Sequence, residues 1–310
     1  MKTKFTAEYI AINGISQYLL HLPQESKDVL LMLHGGPGVP NSYAAHFHAP
    51  YLDFCNVVYY DQRGAGKTQI KNKSTPESIS LDVLIEDVRQ VVFYLKKKYQ
   101  TERVFLAGHS WGSGLGTQFI ARYPQDVAGF IGYGQMTDAS ITDRHWFLHL
   151  KKAVEASGKK RDLKKCGSVN EDYPNIPVDE YVKATATLAG LESKYGFHIN
   201  KVNRIYRKSP IMGLKDGRQL MELTGGGAMN SKLVSLCHNF NITDLKTYDV
   251  PVYYILGRHD EWTASAVAAA YFETITAPKK GLYWIEDAGH MVDTDNPAAF
   301  FSTIKEILAQ

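Results

Sequence analysis

The chain has 310 residues, 44% of them hydrophobic, and a formal net charge of +3 at pH 7. That composition excludes a disordered chain, allows one large domain with an insertion or two domains, and carries too little positive charge to argue for a nucleic-acid partner. No apolar run reaches the ~18 residues of a membrane span, the N-terminal MKTKFTAEYIAING lacks a signal-peptide pattern, and Cys55, Cys166 and Cys237 are odd in number and far apart, so no membrane partner and no disulfide framework are expected and a reducing cytoplasm is the expected location.

Residues 5–22 alternate as one or two antiparallel strands, broken at the turn dipeptide Asn13-Gly14. Residues 29–33 form a continuous apolar run, as in a strand buried on both faces, ending in His34-Gly35-Gly36-Pro37-Gly38. Residues 57–60 form a second, ending in Asp61-Gln62-Arg63-Gly64. Ser80 is placed to cap a helix in which Leu81, Leu84, Ile85, Val88, Val92 and Leu95 share one face. Residues 103–107 read as a strand, followed by Gly108-His109-Ser110-Trp111-Gly112 and a helical pattern that Pro124 stops. Another strand covers 127–133. The strand–helix rhythm then lapses over 136–245, a polar, helical stretch with no clear buried strand. It resumes with a strand at 251–256, a helix at 264–275, a strand at 282–285 and a helix at 296–309.

Strands alternating with helices imply a mostly parallel sheet with helices on both faces, which becomes eight-stranded if residues 5–22 form two strands. The reading is one core, 1–135 with 246–310, and a helical lid at 136–245. Because the lid springs from a strand's carboxyl end, it is expected to cover the ligand-binding edge.

Gly-x-Ser-x-Gly between a strand and a helix forces a sharp turn with Ser110 at its apex, the arrangement of a serine nucleophile; side chains at Gly108 or Gly112 would collide with the flanking elements. Serine needs a base and the base an orienting group, expected after later strands in the order acid, then histidine. Asp260, with Glu261 as its rival, and His290 occupy those places. His109 and His259 are expected to pack locally. An oxyanion needs two backbone donors: the Trp111 N–H, and one from the glycine loop, Gly36 with Gly35 as runner-up.

The blocks HGGPG at 34–38, DQRGAGKT at 61–68, GHSWG at 108–112, GRHD at 257–260 and AGHM at 288–291 resemble the proline iminopeptidase group of α/β-hydrolases. The resemblance covers the core. It implies an α/β-hydrolase fold, a catalytic triad of Ser110, Asp260 and His290, an oxyanion hole at Gly36 and Trp111, and removal of an N-terminal residue, often proline, from short peptides without metal or organic cofactor. It favours Asp260 over Glu261 through the preceding Gly257-Arg258-His259. Asp61 and Arg63 are read as braces for the loops around the site.

The lid decides the substrate, which is a small molecule or a short peptide. An aminopeptidase needs carboxylates there for the free amine, because a cation losing water requires a paired charge. Glu171, Asp172, Asp179, Glu180, Glu192 and Glu222 are available, without a motif that selects among them, and the segment is basic overall, with 17 Lys+Arg against 12 Asp+Glu. A carboxylesterase or amidase on small acyl substrates is the alternative. Epoxide hydrolysis is disfavoured because related folds use a carboxylate where Ser110 stands. Lys159, Lys160, Arg161, Lys164 and Lys165 read as a solvated surface, and the pairs His46/His48 and His145/His149 as incidental spacings. Gly225-Gly226-Gly227 reads as a hinge, and Trp146, Phe147, Tyr173, Tyr181, Tyr195 and Phe240 mostly as the lid's own core.

Overall fold

A computed structural model of the chain describes residues 5–72, 79–197, 199–218 and 228–310. Eight strands form one sheet: β1 (Thr6–Ile12), β2 (Ile15–Leu22), β3 (Val29–Leu33), β4 (Asn56–Asp61), β5 (Val104–His109), β6 (Val127–Tyr133), β7 (Val252–Gly257) and β8 (Lys280–Ile285), in the spatial order β1-β2-β4-β3-β5-β6-β7-β8. β1 and β2 pair antiparallel, as do β2 and β4, and every other neighbouring pair is parallel. Asn13 and Gly14 both take positive φ, 44° and 81°, which two-residue hairpin turns require.

All five residues of β3 are buried, as are all six of β4 and of β7. Helices cover both faces, so these strands have no solvent side and read as unbroken apolar runs. On one face α3 (Leu81–Tyr99) buries Leu84, Ile85, Val88, Val91, Val92 and Leu95. Ser80 caps it, its hydroxyl accepting from Val83 N–H at 3.3 Å. α4 (Trp111–Arg122) lies on the same face, with Leu115 and Phe119 in that core. The other face is covered by α12 (Pro297–Leu308), through Phe300, Phe301, Ile304 and Ile307. Between these come the short helices α1 (Ala45–His48), α2 (Gly66–Asn72), α10 (Ser265–Thr274) and α11 (Val292–Asp295).

Between β6 and β7 the chain leaves the sheet for a helical insertion: α5 (Ala139–Ser157), α6 (Lys160–Cys166), α7 (Val178–Tyr195), α8 (Ile199–Arg207) and α9 (Ala228–Ser235). Its neck is closed by a bridge between Asp138 and Asn241, with Ala139 N–H donating to the Phe240 carbonyl at 2.8 Å and Ile242 N–H to that of Thr137 at 3.0 Å. The insertion has its own core, in which Trp146, Phe147, Tyr173 and Tyr181 pack with Leu150, Leu188 and Leu191. Phe240 turns instead to the sheet domain, against the Trp111 ring at 5.7 Å. The basic residues 159–161, 164 and 165 are exposed at α6, whose Asp162 faces inward to Lys194 and Tyr195 of α7. His46 and His48 turn to different partners, the Tyr43 carbonyl and the Tyr59 hydroxyl. Gly225, Gly226, Gly227 and Glu222 lie outside the described residues. Among the described residues no helix is long and apolar enough to cross a membrane.

Candidate active site

β5 ends at His109 and α4 begins at Trp111, so the reversal falls on a single residue. Ser110 takes φ 51° and ψ −119° there. Such a backbone costs a non-glycine residue about 1–3 kcal/mol and persists only where its surroundings enforce it. The enforcement is visible on both sides. Ser110 N–H donates to the Tyr133 carbonyl at 3.0 Å, and the Ser110 carbonyl accepts from Ser113 N–H at 2.9 Å. A methyl at Gly108 would lie 2.7 Å from Ser113 Cα, and one at Gly112 would lie 2.6 Å from the Leu33 carbonyl carbon and 2.7 Å from the His34 oxygen. Both glycines are thus required by close approach.

The loop after β3 lies against this turn, since a methyl on Gly35 would stand 2.8 Å from Ser110 Cβ. The Gly35 carbonyl accepts from Val39 N–H at 3.1 Å. In a planar trans peptide the next N–H, that of Gly36, points the opposite way. The Trp111 N–H belongs to the first turn of α4, where amide hydrogens have no intrahelical acceptor.

The loop is held by His34. Its ring is buried, and burial lowers its pKa to about 4, so it is neutral at pH 7. Nδ1 meets the Gly35 carbonyl at 3.0 Å, while Nε2 accepts from Gln62 N–H at 3.1 Å. The Gln62 amide also donates to the His34 carbonyl at 2.9 Å. Gln62 is therefore the brace in the DQRG block. Arg63 instead clamps Asp87 of α3, at 2.7 and 2.9 Å, and the Asn13 carbonyl at 3.1 Å. Asp61 accepts from Lys67 N–H of α2 at 2.8 Å, and burial pushes its carboxyl up to about 7.

Asp260 and His290 come together, with His290 Nδ1 3.0 Å from Asp260 Oδ2. Asp260 Oδ1 accepts from the N–H groups of Trp262 and Thr263, each at 3.0 Å. Burial works to raise this carboxyl's pKa, but the His290 imidazole and the donated hydrogen bonds outweigh it and hold it below the ordinary 3.8. Burial likewise works against a charged His290, yet the adjacent Asp260, with Glu192 and Asp293 beyond it, holds the imidazole above its ordinary 6.5. The His290 ring lies between Trp262, 5.1 Å away, and His109, 4.8 Å away. His109 is buried, which, together with the His290 charge beside it, lowers its pKa to about 3. Neutral and stacked on Tyr133 at 4.9 Å, it bonds through Nε2 to the His290 carbonyl at 2.8 Å. It packs locally, as expected, and so does His259, stacked on Phe197 at 4.7 Å. His109 also links Ser110, its chain neighbour, to His290.

Beside the Asp260 loop lies a cavity of about 430 Å³ lined by His149, Glu192, Tyr195, Gly196, Phe197, His259 and Glu261. Glu192 comes from α7 of the insertion and is buried. It accepts from the Trp146 indole N–H at 2.8 Å, and burial raises its pKa. Glu261 Oε2 lies 2.5 Å from His145 Nε2 and 3.9 Å from His149 Nδ1, both on α5. Among the described residues no group of three or more His, Cys, Asp or Glu side chains is arranged to hold a metal ion.

The profile of the family described as serine aminopeptidase, S33, matches residues 24–297. This chain belongs to that family. It is 25% identical over 305 residues, 96% of this chain and 92% of the other, to the protein named probable aminopeptidase YbaC of Bacillus subtilis (strain 168). It is 23% identical to the proline iminopeptidase of Saccharolobus solfataricus (strain ATCC 35092 / DSM 1617 / JCM 11322 / P2), across 97% of this chain and 92% of that one. The crystal structure of proline iminopeptidase from Mycobacterium smegmatis superposes with a TM-score of 0.71 at 18% identity over 98% of each chain. A point mutant of an epoxide hydrolase from Bacillus megaterium superposes at 0.62 with 22% identity, over 98% of this chain and 100% of that one. These structural likenesses establish the α/β-hydrolase fold.

Within this serine aminopeptidase family member, the elbow, the glycine loop and the Asp260–His290 pair stand where the sequence motifs place them. Glu261, the sequence's rival for the acid, turns to the α5 histidines instead. Of the insertion's carboxylates weighed from the sequence, Glu171, Asp172, Asp179 and Glu180 are exposed, whereas Glu192 is buried. The hold of Gln62 on His34 and the contacts of Thr263 with Asp260 and His290 have no sequence signal of their own.

Proposed function

We propose that this α/β-hydrolase is a serine aminopeptidase that releases an N-terminal residue such as proline from short peptides, and that residues 136–245 act as its lid. Ser110 Oγ attacks the scissile carbonyl and passes its proton to His290 Nε2. Asp260 holds the imidazole and stabilises its charged form. The Gly36 and Trp111 N–H groups receive the oxyanion. As the tetrahedral intermediate collapses, His290 returns the proton to the leaving amine. Water then attacks the acyl-enzyme, gives its proton to His290, and Ser110 is regenerated with release of the N-terminal amino acid.

The observation that carries the aminopeptidase reading is the pair Glu192 and Glu261 on the wall of one cavity beside the Asp260–His290 loop. An ammonium stripped of water needs such partners. The basic insertion thus contributes Glu192 to a local acidic wall that flanks the Asp260 loop. Serine at 110, in place of a carboxylate, supports acyl transfer over epoxide opening.

The test has two stages. Wild type should be labelled by a fluorophosphonate, and Ser110→Ala should abolish labelling and turnover; label persisting on another residue would overturn the nucleophile. A prolyl anilide with a free amine should then be preferred to its N-acetylated form and to simple aryl esters. Preference for the acetylated compound would remove amine recognition and leave the esterase or amidase reading.

A further inference from the structure

Thr263 follows Asp260 by three residues, is buried, and meets both members of the acid–base pair. Its hydroxyl lies 2.9 Å from Asp260 Oδ2 and 3.2 Å from His290 Nδ1, while those two atoms are 3.0 Å apart. Three polar atoms thus form a closed triangle. The protons available to it decide which form of His290 the site accepts.

We propose that Thr263 is a positioning residue that, by donating to Asp260 Oδ2, holds the ionised carboxylate against His290 Nδ1 and reinforces the Nδ1–H tautomer that Asp260 sets, leaving Nε2 as the base. This rests on the reading of Ser110, Asp260 and His290 as the hydrolytic machinery. A hydroxyl has one hydrogen. If it goes to Asp260 Oδ2, only a lone pair remains to face Nδ1, and Nδ1 must supply its own hydrogen, shared between carboxylate and hydroxyl. If the hydroxyl donated to Nδ1 instead, the carboxylate would face two lone pairs at 2.9 and 3.0 Å inside the protein, where unpaired polar contacts are costly. The remaining escape is a protonated Asp260 donating to a bare Nδ1. It is opposed because the Trp262 and Thr263 N–H groups and the Thr263 hydroxyl all donate to the carboxylate and favour its anion. The triangle closes only with Asp260 ionised and His290 protonated at Nδ1. The backbone bonds to Oδ1 hold the loop without the hydroxyl, so the tautomer function and the structural function of Thr263 are separable.

Thr263→Val keeps the shape and removes the hydroxyl, and Thr263→Ser keeps the hydroxyl. On an aryl ester, which needs no amine recognition, Thr263→Val should lower kcat by roughly tenfold to a hundredfold, the range of a hydrogen bond to a charged group, with KM little changed. Thr263→Ser should stay near wild type. The Nδ1–H proton resonance of His290 should shift or broaden in the Val variant and persist in the Ser variant; a purely structural role would not produce that contrast. Wild-type kcat with an unchanged Nδ1–H signal in Thr263→Val, or an equal loss of kcat in Thr263→Ser, would overturn the proposal. Should Thr263→Val not fold, Thr263→Ala takes its place with the same expectations. Absence of fluorophosphonate labelling at Ser110 in wild type would instead overturn the underlying reading.

Discussion

Gly112→Ala tests whether the position of Ser110, the proposed nucleophile, is set by the contact between α4 and β3. The added methyl would meet the Leu33 carbonyl oxygen first, and would stand 2.6 Å from the Leu33 carbonyl carbon and 2.7 Å from the His34 oxygen. Ordinary contacts of this kind begin near 3.5 Å, and the Leu33 carbonyl oxygen lies closer still, so helix and strand must separate by at least about 1 Å. Neither neighbour is a flexible side chain: β3 is paired to β4 on one edge and β5 on the other. Overpacking of this kind costs about 1–3 kcal/mol, and about 1 kcal/mol returns because alanine is the better helix former. Net destabilisation of roughly 0–2 kcal/mol should lower the melting temperature by only a few degrees in a chain of this size. The catalytic effect should be far larger. Trp111 and Ser110 move with the helix, and a ~1 Å misplacement of reacting groups can cost about a hundredfold in rate. Melting curves and aryl ester kinetics read the two effects separately. Gly190→Ala is the control: it sits in α7 with nothing within 4 Å of the added methyl, and should gain up to about 1 kcal/mol without changing kcat. A Gly112→Ala enzyme that turns over at the wild-type rate would refute the geometric argument, and a Gly190→Ala enzyme that melts lower would refute the reckoning of the helix term.

Three further outcomes are expected. Asp260 holds the His290 pKa above 6.5, and the base must be neutral to act, so kcat/KM should fall as pH drops through a value above 6.5. Asp260→Asn should move that limb down and reduce kcat by up to about 10⁴-fold, read from a pH–rate profile. In stability terms, the His290 contribution is complete below 6.5 and lost as pH rises through its raised pKa, and that of Asp260 is complete above 3.8 and lost as pH falls through its lowered one. The melting difference between wild type and Asp260→Asn should therefore be largest between those two values. Arg63→Met leaves Asp87 buried without its charge partner, with the Asn13 side-chain amide still donating to it, and should destabilise by about 3–5 kcal/mol in denaturant melts, with kcat of the folded fraction little changed. Glu261→Gln should raise KM for the free-amine anilide by roughly tenfold, about 1.4 kcal/mol, and leave the N-acetylated compound unaffected in steady-state assays.

The strands and the elbow are legible in the sequence for one physical reason: each is dictated by neighbours in the chain. β3, β4 and β7 are apolar throughout because both faces are covered, and Ser110 is marked by glycines whose absent side chains make room for adjacent backbone. Legibility ends where the partner is remote. Arg63 sits among motif residues and reads as a brace for the site, yet its acceptors are Asp87 and the turn at Asn13, while the unremarkable Gln62 holds the glycine loop through His34. Glu192 looks like any solvated carboxylate on a helix until α5 brings the Trp146 indole to it. Trp146 in turn stacks on Trp262 at 4.9 Å, and Trp262 on His290 at 5.1 Å. A continuous aromatic path therefore runs from the insertion's buried carboxylate to the imidazole. The insertion's core and the acid–base loop are packed as one body at this point. A change in the insertion that moved Trp146 would disturb Glu192 and the Trp262 wall of His290 together, so the proposed function couples amine recognition to the setting of the His290 base through this packing.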